Sequence, residues 1–160
     1  MPSDPKIRFF LIILLLVISL NSCNKEKNDV IPDVYFSFDI NLGTDVQFAD
    51  LNAIGNSAII TPQTIIYKTG TIGFNSNGVI VYRLDPEQFN AYDRTCPHDY
   101  VVNGLSIKIN IIDFFYADCP ECHTRYSLLS YGNPISGVGR YRLKNYRTLF
   151  INNILTVSNN

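Results

Sequence analysis

Two short segments, each carrying more than one potential metal ligand, constrain the fold of this chain most strongly. "RTCPHDY" (residues 94–100) offers Cys96 and His98, and "DCPECHTRY" (residues 118–126) offers Cys119 and Cys122. A C-P-x-C turn directs two sulfurs toward one point, and Cys-x-His does the same with one sulfur and one nitrogen. Together they provide four ligands suited to tetrahedral zinc or to an iron–sulfur centre. The fold is therefore expected to bring the two segments together as neighbouring loops.

The body of the chain shows the alternating pattern of half-buried strands. "VYFSFDI" (residues 34–40) alternates apolar with polar residues, and "LFINNILTV" (residues 149–157) predicts a hairpin that turns at Asn152 and Asn153. Further strands are predicted at residues 64–69, 79–84, 105–112, 140–144 and 146–151. No stretch of eleven residues carries a convincing helical stripe. The pattern indicates an all-β fold of small antiparallel sheets or a barrel.

The first 33 residues are interpreted as an export signal and a tether. Positively charged residues precede an apolar run at residues 9–20, which is too short to span a bilayer comfortably as a permanent helix. The run leads into "LNSC", which resembles a bacterial lipobox and implies lipidation of Cys23. We therefore expect a signal peptide at residues 1–22, a lipidated N-terminus and tether at 23–33, and one β domain at 34–160. The protein would be exported and attached to a membrane of the bacterial cell envelope by its lipid anchor, on the periplasmic side or at the outer membrane.

The two ligand segments also resemble part of a known family. "FNAYDRTCPHD", followed by "ADCPECHTRYSLLSYGNPISGVGRYRLKNYRTLFINNILTV", resembles a Rieske domain across residues 89–157. The family pattern is C-x-H in one loop, C-x-x-H in a second, and a third loop with glycine and proline over a [2Fe–2S] cluster. The resemblance implies a Rieske-type fold of small antiparallel sheets with a cluster-binding loop subdomain.

The resemblance also implies roles for single residues. Cys96 and Cys119 would bind one iron, and His98 would bind the other. Thr124 and Tyr126 fall where hydroxyl groups in some members of the family hydrogen-bond the cluster sulfurs. Residues 132–139 fall where the covering loop lies.

The sequence departs from the family pattern where the second histidine is expected. Cys122 occupies that position and His123 follows it. Either Cys122 binds, which gives a Cys3His ligand set, or the loop slips by one residue and His123 binds instead. The first arrangement is favoured because Pro120 fixes the C-P-x-C turn. An additional thiolate should lower the reduction potential below the range of histidine-ligated Rieske centres, about −150 to +300 mV, toward that of plant-type ferredoxins near about −400 mV. One titratable imidazole instead of two also predicts a weaker pH dependence of the potential.

The expected function is one-electron transfer to or from a redox protein partner, without enzymatic chemistry on a substrate. The chain is too short for the additional catalytic domain of a Rieske oxygenase. Its formal net charge of −1 shows no basic excess, so nucleic acid is not an expected partner. Asp93, Asp99 and Asp118, which lie near the ligand segments, are interpreted as turn formers.

Two alternatives to the electron carrier remain open. The leader carries no arginine pair of the kind that directs folded, cofactor-loaded proteins across a membrane. Export as an unfolded chain would strip a cofactor, and thiols tend to pair in an oxidising compartment. The protein could then be a cluster-free or disulfide-bonded lipoprotein with a structural or interaction role. The same four ligands could instead hold structural zinc.

Overall fold

Strands make up most of the regular structure in the computed structural model, which describes residues 30–65 and 70–159. They form a six-stranded sheet in the order β1-β10-β9-β4-β3-β2 and a four-stranded sheet in the order β5-β6-β7-β8, with all neighbours antiparallel. The strands are β1 (Phe36–Asn41), β2 (Ser57–Ile60), β3 (Val79–Arg83), β4 (Phe89–Asp93), β5 (Asn110–Asp113), β6 (Tyr116–Asp118), β7 (Arg125–Ser127), β8 (Asn133–Ser136), β9 (Asn145–Ile151) and β10 (Ile154–Asn159). The prediction of an all-β fold of small antiparallel sheets is confirmed.

Strand β3 separates two apolar cores because both of its faces are buried. Val79 and Val81 point into a core shared with β1, β10 and the 3-10 segment Val46–Asn52. Ile80 and Tyr82 point the other way, into a second core that includes residues of β6 and β7. Side chains alternate across a strand, so a continuous run of apolar residues is what two-sided burial requires. The second core joins the two sheets.

The predicted hairpin at the end of the chain is confirmed. β9 pairs with β10 in a register that places Ile151 opposite Ile154, with Asn152 and Asn153 between them. Both asparagines have positive φ, 51° and 63°, as the two central residues of a type I′ turn require. The two strands are central to the sheet, because β9 also pairs with β4 and β10 with β1.

Three of the predicted strands differ from the structure. Only the end of the 105–112 segment is in a strand, β5, and the residues before it make one isolated bridge between Thr95 and Lys108. The strand predicted at 140–144 is wrong: this segment is irregular, and the consecutive residues Leu143 and Lys144 are both buried, which breaks the alternation of a strand. Within the segment 64–69, residues 64 and 65 lie in a turn and 66–69 fall outside the described residues.

One short helix, α1 (Pro97–Asn103), was not expected from the sequence. It begins with proline at its first position and ends before Gly104, which adopts a left-handed conformation with φ 67°. Proline at the start and glycine just past the end are common helix boundaries, since proline lacks an N–H that would be unpaired there anyway. The helix follows β4, so the first ligand segment begins at the C-terminal end of an interior strand of the six-stranded sheet.

Two buried polar side chains fix the ends of the segment that contains the ligand loops. Asp93, at the end of β4, accepts hydrogen bonds from the Tyr146 hydroxyl at 2.5 Å and from the backbone N–H groups of Phe74 and Thr95 at 2.6 and 2.7 Å. Lys144, just before β9, is almost fully buried, and its carbonyl oxygen accepts a hydrogen bond of 2.8 Å from the Asp93 N–H. The start and the end of the 94–144 segment are thus held to each other and, through Tyr146, to β9.

The N-terminal segment is described from Val30 onward. Ile31 is fully buried, and its carbonyl oxygen accepts a hydrogen bond of 2.7 Å from Lys144 Nζ, which also lies 2.6 Å from the Asp33 carboxylate. The end of the predicted tether therefore packs against the domain. The predicted signal peptide and the predicted lipidation residue Cys23 lie outside the described residues. Within the described ranges, no helix is long and apolar enough to cross a membrane.

Candidate metal centre

The first ligand segment leaves β4 and turns at once into helix α1. Cys96 is the residue that caps the N-terminus of α1; its N–H donates to Ile107 at 2.8 Å and its carbonyl oxygen accepts from Tyr100 at 3.2 Å. The first bond and the Thr95–Lys108 bridge tie the start of this segment to residues 107 and 108. Cys96 is fully buried as a result.

The second ligand segment is the tight loop between β6 and β7. The loop is closed by hydrogen bonds from the Cys119 N–H to the Thr124 carbonyl oxygen at 3.0 Å and from the His123 N–H to the Cys119 carbonyl oxygen at 3.1 Å. His123 adopts a positive φ of 57° to complete the turn. Cys119 is buried at the start of the loop, and Cys122 is half-buried at its tip.

The two segments bring three sulfurs and one carboxylate together. Ligand atoms of Cys96, Asp99, Cys119 and Cys122 all lie within 4.8 Å of one another. The sulfurs of Cys96 and Cys122 are 3.6 Å apart, and the Cys119 thiol donates to the Asp99 carboxylate at 2.9 Å. None of these three cysteines is in a disulfide. Two thiolates on one tetrahedral zinc, each about 2.3 Å from the metal, are about 3.8 Å apart, so the sulfur spacing suits a shared metal ion.

A third segment lies over the second loop. Gly139 N–H donates to Thr124 Oγ1 at 2.8 Å. A Cβ atom added to Gly137 would lie 2.6 Å from Thr124 Cα and 2.8 Å from the His123 carbonyl oxygen, and one added to Gly139 would lie 2.7 Å from Thr124 Cγ2. Only glycine permits this close approach of the two backbones. Of the predicted covering segment 132–139, the part that contacts the second ligand loop is its C-terminal end.

Two hydroxyl groups lie next to the sulfurs. The Tyr126 hydroxyl is 3.5 Å from Cys96 Sγ, and Thr124 Oγ1 is 3.3 Å from Cys122 Sγ. Because Thr124 Oγ1 accepts a hydrogen bond from Gly139, its own proton remains available to a thiolate. The two residues expected to hydrogen-bond the cluster sulfurs are therefore in contact with cysteine sulfurs, although the sulfurs they contact belong to the ligands themselves.

The surroundings of the sulfurs are apolar. Cys96 and Cys119 belong to the second core, with the aliphatic residues Ile80, Ile109 and Leu128 and the ring of Tyr92. A low-polarity environment strengthens electrostatic interactions within the site and keeps water away from the two buried sulfurs. The half-buried Cys122 marks the side of the site that is nearest to solvent.

Proximity of the thiols changes their acidity unequally. Interaction with the Cys119 thiol lowers the pKa of Cys96 to about 7, and burial opposes this change only in part. The same interaction, together with burial, raises the pKa of Cys119. Burial also raises the pKa of Cys122. Burial would raise the pKa of Asp99 as well, but hydrogen bonds from the three thiols and from Asn103 outweigh it and leave that pKa below its usual value. Cys96 is therefore the most acidic of the three thiols.

The structure places the two histidines outside this group of four. His98 is half-exposed in α1, and His123 is exposed at the tip of the second loop. The helix explains the position of His98. Residues two apart on a helix point in nearly opposite directions, whereas the capping residue and the third helical residue face each other. Asp99, the third helical residue, therefore faces the capping residue Cys96, whereas His98 points away from it.

Asp99 belongs to this group of four, although the sequence predicts only a turn former at this position. It is a helical residue that is 1% exposed and contacts Cys119. The signal that could have found it was the combination of Pro97 at the first helical position, glycine at position 104, and an acidic residue three positions after a potential cap.

Comparison with known proteins gives similarity to solved structures only. No family model and no curated protein matches the chain. One similar structure is a ferredoxin of Sphingomonas yanoikuyae B1, at 11% identity and a TM-score of 0.44, with 69% of this chain and 94% of that one covered. A second is a chain of the complex of reduced oxygenase and oxidized ferredoxin in carbazole 1,9a-dioxygenase, at 17% identity and a TM-score of 0.43, with 66% of this chain and 82% of that one covered.

A third is the ferredoxin of carbazole 1,9a-dioxygenase from Nocardioides aromaticivorans, at 14% identity and a TM-score of 0.39, with 66% of this chain and 99% of that one covered. The likeness to all three is loose at these TM-scores, and the chemistry of the site depends on its own residues.

The donor set fits a metal that prefers sulfur. Thiolates are the usual ligands of iron–sulfur clusters and of structural zinc, and either can accept one ligand of another type. The three cysteines come from two loops, two of them are buried and one is half-buried, and their sulfurs all lie within 4.8 Å of one another, so they would need little rearrangement to bind. An exposed group of acidic side chains would not have this property.

Proposed function

We propose that this protein is a Rieske-type one-electron carrier in which Cys96, Cys119 and Cys122 hold a [2Fe–2S] cluster. One observation carries the proposal: three thiols from two separate loops converge within 4.8 Å of one another, beneath a third, glycine-bearing segment. A site of this kind needs soft ligands, exclusion of water and close backbone packing, and the described residues provide all three. When bound, the cluster would supply one-electron redox chemistry.

Residues of the chain would set the properties of such a centre. The Tyr126 and Thr124 hydroxyls lie 3.5 and 3.3 Å from cysteine sulfurs and could donate to them once the thiols are ionised. Hydrogen bonds to sulfur stabilise added negative charge and raise the reduction potential, whereas a third thiolate lowers it. We therefore expect a potential below the range of about −150 to +300 mV of histidine-ligated Rieske centres and above about −400 mV.

The fourth ligand has two candidates. The sequence resemblance proposes His98, and a one-residue slip of the second loop would put His123 in place of Cys122 without changing that choice. Asp99 lies nearer to the three sulfurs. The proposed electron-transfer function needs only that one of them completes the set.

A second candidate function is a structural zinc site in the same fold. The observation that favours it is the compactness of the four ligand atoms, because the ligands of a two-iron cluster lie on two metals and spread further apart than those of one ion. Zinc would hold the two loops together without any redox role. Colourless protein that contains about one zinc per chain would support this reading and exclude the electron carrier.

The cluster-free alternative makes a distinct prediction about the thiols. Cys96 and Cys122 have sulfurs 3.6 Å apart and would be the pair that oxidation joins most easily. A protein isolated without metal and with a single unpaired thiol among these three cysteines would support an interaction or structural role. Counting the thiols under denaturing conditions, with and without reductant, distinguishes this outcome.

We further propose that the protein is exported and anchored to a bacterial envelope membrane through lipid on Cys23, with a redox protein as its partner. The apolar run at residues 9–20 and the following "LNSC" support this proposal. The wild-type chain should partition into detergent and shift in mass after cleavage before Cys23. A Cys23→Ser variant should not acquire lipid. Wild-type protein that partitions with the aqueous phase would exclude the anchor.

The redox function is tested with the complete chain, expressed with its own leader and purified without oxygen. The oxidised protein should show visible absorption bands that bleach on reduction by one electron per chain. Cys119→Ser removes a buried ligand and should abolish the bands, whereas Ser130→Ala, at an exposed serine of the β7–β8 turn, should retain them. Bands that persist in Cys119→Ser would exclude this ligand set.

A further inference from the structure

The carboxylate of Asp99 is in an unusual position for a charged group. Asp99 is 1% exposed, its Oδ2 atom is 2.9 Å from Cys119 Sγ, and its Oδ1 atom accepts a hydrogen bond of 3.2 Å from Asn103. In residues 30–65 and 70–159, the ion pairs are Arg125–Asp118 and Lys144–Asp33, so no cationic side chain neutralises it. A buried carboxylate without a cation is costly, and metal coordination is one of the few ways to offset that cost.

Helix α1 orients this carboxylate toward the sulfurs. Cys96 caps the helix and Asp99 is its third residue, the relationship in which the two side chains face each other. His98 lies between them on the far side of the first turn. For His98 to replace Asp99, the first turn would have to unwind and lose hydrogen bonds such as the one from Tyr100 N–H to the Cys96 carbonyl oxygen.

We infer that Asp99, rather than His98, is the fourth ligand of the metal centre. This inference rests on the proposed function to the extent that it assumes a metal in the site, but it does not depend on which metal that is. The resulting set is three thiolates and one carboxylate oxygen, which carries more negative charge than Cys3His. It contains no imidazole, so the potential of a loaded centre should show no dependence on the ionisation of a ligand histidine.

The ligand set can be tested without assembling a cluster, by titrating the metal-free complete chain with Co²⁺. Thiolate-to-cobalt absorption reports binding, and the d–d bands report the geometry. Asp99→Asn keeps the shape of the side chain and should weaken Co²⁺ binding at least about tenfold. Asp99→Cys, which restores an anionic ligand, should recover most of the affinity. His98→Asn is the matched control on the same helix and should bind as wild type does.

The opposite pattern would overturn the inference: Co²⁺ binding that is weakened by His98→Asn and unchanged by Asp99→Asn. Asp99→Asn could also fail to fold, and a far-UV circular dichroism spectrum of the metal-free variants detects this. If Asp99→Asn does not fold, the Asp99→Cys variant keeps the test decisive. A four-sulfur cobalt spectrum from that variant supports Asp99, whereas an unchanged three-sulfur spectrum argues against it.

An independent measurement addresses the iron-loaded protein. Pulsed electron paramagnetic resonance of the reduced protein should show no ¹⁴N coupling of the size produced by metal-bound imidazole. A coupling of that size that disappears in His98→Asn would overturn the inference. Protein that contains no iron or sulfide would refute the electron carrier instead, while the Co²⁺ titrations would still decide whether Asp99 is a ligand.

Discussion

Replacement of Gly137 by alanine should force the third segment away from the second ligand loop, because the new methyl group would contact the backbone of Thr124. Gly137 has φ +90°, and an added Cβ would lie 2.6 Å from Thr124 Cα, so the segments must separate until the contact is ordinary, at 3.4 Å or more. Gly55 is the matched control: its φ is +86°, but a Cβ there meets nothing within 4 Å. Both variants incur the left-handed backbone cost of about 1–2 kcal/mol. Gly137→Ala adds an overpacking cost of about 1–3 kcal/mol.

Urea unfolding of the two metal-free variants measures this difference directly. Gly55→Ala should lose about 1–2 kcal/mol of the free energy of unfolding, and Gly137→Ala about 2–5 kcal/mol. Since Thr124 contacts Cys122, Gly137→Ala should also release bound metal to a chelator faster than Gly55→Ala does. Equal losses of stability and equal rates of release in the two variants would refute the claim that the third segment packs on the ligand loop.

Three other substitutions test the contacts that support the site. Tyr146→Phe removes a hydrogen bond to a buried carboxylate and should lower the free energy of unfolding in urea by about 2 kcal/mol. Tyr141→Phe, at an exposed tyrosine, should leave the free energy of unfolding almost unchanged. The free energy of unfolding should also fall as the pH rises above 10, because burial raises the pKa of Tyr92 and Tyr146, so that these tyrosines ionise only in the unfolded chain. Tyr146→Phe should make this fall shallower, and an unchanged slope would contradict the explanation. Lys144→Met should lower the free energy of unfolding by about 1–2 kcal/mol and make the segment near Ile31 more susceptible to proteases. Digestion at the wild-type rate would contradict this prediction. Tyr126→Phe should lower the reduction potential of iron-loaded protein without loss of iron, and an equal potential would mean that its hydroxyl does not interact with the ligand sulfur.

The sequence was informative where a local pattern determines local structure. Alternating residues in β1 and the β-branched residues of β3 predicted strands. The two asparagines predicted the turn between β9 and β10, because few other residues accept positive φ. The spacing of Cys96, Cys119 and Cys122 predicted that two loops would meet. In each case the physical cause acts within a few residues, so one sequence is enough to reveal it.

The sequence was less informative where distant contacts decide the structure. Strands β6 and β7 have only three residues each, and their pairing depends on the loop that joins them. Burial of Lys144 depends on a carbonyl oxygen more than a hundred positions earlier in the chain. The role of Asp99 depends on a helix that is too short to leave a periodic pattern, so only its boundary residues could have indicated it.

The most direct test of the central claim is the metal and sulfide content of the complete chain, purified without oxygen and combined with electron paramagnetic resonance after reduction. A [2Fe–2S] centre predicts about two iron and two sulfide ions per chain and one unpaired electron in the reduced state. Protein with no iron or sulfide, and with either zinc or oxidised Cys96 and Cys122 in their place, would contradict the account.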